Sequence, residues 1–108
     1  MLALLLAAPF ALPAQQGGAP VNERPNPFTT IEGWAKMPEG RAWGSTSAVD
    51  IDPDGTSIWV GERCGANTCV GSTLDPILKF DATGKLVKSF GAGIIMWPHG
   101  IHVDRQGN

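Results

Sequence analysis

From Trp43 onward the hydrophobic and polar positions fall into short units with the period of a strand. Ala48-Val49-Asp50-Ile51 alternates apolar and polar residues, as a half-buried strand does. Asp52-Pro53-Asp54-Gly55 follows, with Asp first, Pro second and Gly fourth, the preferences of a type I turn. Ser57-Ile58-Trp59-Val60-Gly61 then reads as a strand buried on both sides. Ile77–Phe80 predicts a third strand, Asp81-Ala82-Thr83-Gly84 a second turn of the same kind, and Leu86–Phe90 the returning strand. Gly100–Val103 predicts a further strand, closed by a third turn at Asp104-Arg105-Gln106-Gly107.

Three Asp-x-x-Gly turns, each preceded by an apolar strand, describe a meander of antiparallel hairpins in an all-β chain. Aligning Asp52-x-x-Gly55 with Asp104-x-x-Gly107 gives an offset of 52 residues. A unit recurring at roughly 40–50 residues is the signature of a β-propeller blade. Four strands between Ala48 and Phe90 make one four-stranded blade, and Gly100–Val103 begins the second. The expected domain is therefore residues 43–108, a propeller fragment. A single blade cannot bury both its faces, so the first partner it requires is the set of downstream blades missing from the sequence.

Upstream of this domain the pattern changes twice. Residues 1–14 are uncharged and mostly apolar, and end in small residues before Gln15-Gln16-Gly17-Gly18. They are too short to span a bilayer, which takes about 20 residues, and predict a signal peptide cut after Ala14. Export to the periplasm or the extracellular space follows, without stable membrane insertion. Residues 15–42 are rich in Gln, Gly, Pro and Asn and lack periodicity, and so predict a linker or entry arm. Ile31, Trp34 and Met37 within it are candidates to pack on the fold, and Gly33 and Pro38 argue against a helix. A net charge of −2 with scattered Lys and Arg leaves no footprint for nucleic acid.

Cys64 and Cys69 enclose Gly-Ala-Asn-Thr. A zinc site needs paired cysteine spacings, and no second pair exists. In an exported protein the pair reads as a disulfide stiffening the loop after Arg63; in a cytosolic one it reads as two free thiols. Asp50-x-Asp52-x-Asp54-Gly55 matches the opening of an EF-hand loop, but position twelve is Gly61 rather than Glu, and Pro53 sits among the ligands. The hairpin turn is the preferred reading. His99, between Pro98 and Gly100, either builds a turn or presents its imidazole at a strand end. His102 is three residues on and faces the other way, so the two cannot readily share a metal. Arg63 either grips a carboxylate bidentately or forms a surface ion pair with Glu62 or Asp75. No phosphate-binding glycine loop or nucleophile elbow is present.

Trp59-Val60-Gly61-Glu62-Arg63-Cys64-Gly65, Leu78-Lys79-Phe80-Asp81-x-x-Gly84-Lys85 and Trp97-Pro98-His99-Gly100-Ile101-His102-Val103-Asp104 together resemble exported bacterial NHL-type β-propellers related to peptidyl-α-hydroxyglycine α-amidating lyase. The resemblance runs from about Trp43 to Asn108. It implies a six-bladed propeller holding zinc through three histidines from different blades, with a structural calcium nearby. The implied substrate is a peptide or small molecule, a peptidyl-α-hydroxyglycine split into a peptide amide and glyoxylate. His99 is similar to the first zinc ligand and Arg63 to the active-site arginine. Val49 and Ile101 fall where the family offers backbone carbonyls to calcium. The family's remaining histidines and its tyrosine lie downstream, and this chain has no Tyr, so it cannot carry the full reaction. The alternative is a non-catalytic propeller binding a protein, peptide or glycan across its face.

Overall fold

A computed structural model of the chain describes residues 24–108. The expected signal peptide and the first part of the entry arm lie outside the described residues. The described part is all-β without a helix: four strands, β1 (Thr46–Ile51), β2 (Ile58–Glu62), β3 (Ile77–Phe80) and β4 (Leu86–Phe90). They form one open antiparallel sheet in the order β1-β2-β3-β4.

Three turns form where the Asp-x-x-Gly pattern puts them, the first two between strands. In each, the Gly amide donates to the carbonyl of the leading Asp, at 2.9 Å for Gly55 and Asp52, 2.9 Å for Gly84 and Asp81, and 3.0 Å for Gly107 and Asp104. The Asp side chains then accept from amides further round the turn, as at Asp54 N and Thr83 N. Such side-chain acceptance is what makes Asp a turn former.

Register sorts the side chains into two faces. On one, Ile51, Ile58, Phe80 and Leu86 stand in a cross-strand row, with Val49, Val60, Leu78 and Ser89 in the next. Val60, Leu78 and Phe80 form the buried core there, and Trp34, Ala35, Met37, Ile58 and Leu86 pack against it. The stretch from Trp34 to Met37 is therefore a cover for the sheet. It is fixed by the Lys36 amide donating to Gly84 O at 2.8 Å and Trp34 Nε1 to Ala82 O at 3.2 Å. Gly84 permits this approach: with φ +79°, an added Cβ would lie 1.8 Å from the Trp34 carbonyl oxygen.

The opposite face carries Trp59, Ile77 and Phe90, with Trp59 and Phe90 edge-to-face at 5.9 Å. Ile101 and Val103 line a cleft with these residues, so the segment after β4 lies over this face. Gly61 makes room for that segment, since its missing Cβ would stand 3.3 Å from Pro98 Cβ.

The strand expected at Gly100–Val103 is not formed. There the Asp50 Oδ2 accepts from the Val103 amide at 2.7 Å, taking up a donor that a ladder would use. The second link to β1 is again through a side chain, from Ser47 Oγ to Pro98 O at 2.5 Å. Ser47 is the extra residue of a β-bulge between Thr46 and Ala48, a device that re-aims a side chain out of the ladder.

Candidate functional site

Of the residues singled out from the sequence, Arg63 and the two cysteines meet the segment carrying His99 at the end of the sheet where β2 leaves it. Strand pairing continues one residue past β2, with the Arg63 amide donating to Ser45 O at 3.1 Å. The backbone then breaks away at Cys64, which takes φ +55°. Cys64 and Cys69 are joined by a disulfide with Cα atoms 5.2 Å apart. The loop they close is anchored on three sides. The Ser45 amide donates to Ala66 O at 2.7 Å, Gly65 N to Glu62 Oε2 at 3.1 Å, and Cys69 N to Met96 O at 2.8 Å.

Arg63 lies half-buried against this loop. Its Nη1 donates to Asn67 Oδ1 at 2.8 Å and its Nε to Pro98 O at 3.3 Å. The guanidinium carbon stands 5.6 Å from the centre of the Trp97 ring, within cation–π range. Pro98 O, which also receives Ser47 Oγ, belongs to the residue just before His99. The structure thus brings Arg63 to the Trp97-Pro98-His99 segment, which is irregular, and His99 is exposed there.

The ion pair considered for Arg63 is not formed with either acid. Neighbouring residues on a strand point to opposite faces, so Glu62 turns inward where Arg63 cannot follow. Arg41, from the entry arm, pairs with Glu62 instead and reaches only the backbone of Asp75. Its Nη2 pairs with Glu62 Oε1 and also donates to Asp75 O at 2.6 Å. Glu62 is wholly buried at 0% exposure, and its Oε2 accepts from Gly44 N at 3.0 Å as well as Gly65 N. The Asp75 carboxylate is occupied by Ser89 Oγ at 2.7 Å and Ala92 N at 3.0 Å. Sequence reasoning missed the Arg41–Glu62 pair. The available signal was an acid closing a buried strand, which demands a cation from elsewhere.

The three aspartates of the EF-hand-like stretch are each spent on protein donors. The Val103 and Ile51 amides hold the Asp50 carboxyl below its usual range. Asp52 is lowered chiefly by Lys79, whose Nζ lies 2.6 Å from Oδ2, with Trp59 Nε1 also donating at 2.8 Å. Asp54 is lowered further, by the Ser57 hydroxyl and the Ser57 and Thr56 amides. These carboxylates build the hairpin.

His102 turns to Asp50, with Nδ1 3.4 Å from Oδ2, and is not brought together with His99. Val49 lies in β1 opposite Val60, while Ile101 lines the cleft on the other face. Among the described residues no three His, Cys, Asp or Glu side chains gather to hold a metal. A zinc site takes three protein ligands at least, and His99 offers one. The described residues therefore do not by themselves complete a zinc site, and no chemical step is derived through zinc or calcium. No family model, curated protein or solved structure matches this chain.

Proposed function

We propose that the chain is the first blade of an exported β-propeller of the peptidyl-α-hydroxyglycine lyase type. In this reading Arg63 binds the substrate carboxylate at the mouth of the propeller. His99 contributes one zinc ligand, further blades supply the others, and Val49 and Ile101 offer carbonyls to calcium. The observation that carries the reading is the placement of Arg63. It has no carboxylate partner among the described residues, it is held by neutral acceptors, and it stands beside the segment that carries His99. An arginine steadied by neutral groups keeps its charge available for an anion.

The test uses the full-length protein, with whatever follows residue 108. Zinc content and glyoxylate release from a peptidyl-α-hydroxyglycine are measured for the natural protein, R63A and H99A. The lyase reading expects bound zinc, lost in H99A, and glyoxylate release reduced at least about a hundredfold in R63A, in the range for removing one charge-stabilising donor. Zinc-free protein without glyoxylate release would overturn it. The second reading, a propeller that only binds, is favoured by one observation: Trp97 is 64% exposed and stacked on Arg63. Such an aromatic–arginine pair suits a peptide or glycan.

A further inference from the structure

We infer that the disulfide loop aims the Arg63 guanidinium, with Asn67 as the positioning residue; the step from aiming to carboxylate binding rests on the function proposed above. Arginine has a long, freely rotating side chain, and left in water it would sample many rotamers. Here two of its nitrogens are fixed by acceptors on two different segments. Nη1 is held by Asn67 Oδ1, inside the Cys64–Cys69 loop, and Nε by Pro98 O.

The loop also fixes the second of these segments. Cys69 N donates to Met96 O at 2.8 Å and Thr68 Oγ1 lies 3.4 Å from the same oxygen. Met96 immediately precedes Trp97, whose ring faces the guanidinium, and Pro98, which accepts from Nε. One six-residue covalent ring therefore sets both supports of Arg63. With Nε and Nη1 engaged, Nη2 is the nitrogen left to meet an incoming ligand. Asn suits this task because its amide oxygen accepts without neutralising the cation, as a carboxylate at the same place would.

The test is nitrogen-15 NMR of the arginine side chains in the full-length protein, assigned through R63K. When rotation about Cζ–Nε is slow, Nη1 and Nη2 give two resolved lines; when it is fast, they merge. The natural protein should give a resolved pair for Arg63. N67A and C64S/C69S should each merge it, with the β2 and β3 amides still protected to show that the sheet is intact. N67D keeps the acceptor and should keep the pair resolved. A pair that stays resolved in N67A overturns the inference.

Titration with benzoylglycine, a carboxylate that cannot react, separates this result from the functional reading. N67A should bind it about tenfold more weakly, the lower end for losing a hydrogen bond to a charged group. If the natural protein does not bind benzoylglycine, the carboxylate reading falls, while the merging or persistence of the Nη lines still decides whether Asn67 positions Arg63.

Discussion

Glu62 and Arg41 illustrate how one buried charge organises several backbone segments. Glu62 has no access to water, so its charge must be met inside the protein. It is met by Arg41 from the arm, by the Gly44 amide beside it and by the Gly65 amide of the disulfide loop. Removing either partner leaves the other charge buried and unpaired. R41A should therefore lower stability by about 3–5 kcal/mol, the usual penalty for breaking a buried pair, read as the loss in urea unfolding free energy. E62Q, which keeps the shape and one acceptor oxygen, should cost less than E62A. Which cation answers Glu62 was not legible in the sequence because the two residues are 21 apart, and only the path of the arm brings them together. The turns were legible because each is completed within four residues.

Acid sensitivity belongs to a different set of side chains, the carboxylates of the turns. Asp54 is held well below its ordinary value of 3.8 by Ser57 and Thr56 donors that the unfolded chain lacks. A depressed carboxylate contributes stability that is complete above the unfolded value and is lost as pH falls through the folded one. The urea midpoint should thus hold from pH 7 to about 5 and decline from about pH 4 downward. In D54A that decline should be shallower, because one of the protonating groups is gone. An equal slope in D54A would remove Asp54 from the account.

The entry arm shows its worth through two glycines with the same backbone demand. Gly84 and Gly55 both sit at positive φ in Asp-x-x-Gly turns, at +79° and +74°. Alanine at either must adopt a left-handed conformation costing about 1–2 kcal/mol. At Gly55 nothing lies within 4 Å of the new Cβ, so G55A should lose that amount and no more. At Gly84 the Cβ meets the Trp34 carbonyl, and the arm must lift. G84A should lose clearly more than G55A and also change the Trp34 fluorescence; equal losses would show that the arm adds nothing. The strands β3 and β4 begin and end where their apolar stretches do. The segment 100–103 forms no strand. An apolar stretch becomes one only where a ladder is free to receive it, and there the Asp50 carboxylate has the amide of Val103.

Coverage of the whole sheet is uneven, and this sets how the molecule should hold together. The arm covers β2, β3 and part of β4 on the core face, but Val49 and Ile51 on β1 remain 62% and 57% exposed on that same face. The fully enclosed side chains belong to the central strands and their flanks: Phe80, Leu78, Glu62 and Pro76. A core of this size gives little margin over conformational entropy, and the Cys64–Cys69 ring adds only about 2 kcal/mol on the loop-closure model. Local stability should therefore grade outward from the middle of the sheet. In hydrogen exchange on this chain alone, the amides of Val60 and Leu78 should be the slowest, with β4, exposed along four of its five residues, exchanging earlier. Joined to further blades, β1 should gain most, because its exposed Val49 and Ile51 would then be covered. If β1 is as protected in the isolated chain as β2 and β3, its exposed aliphatic row is not an unfinished interface, and the case for neighbouring blades weakens with it.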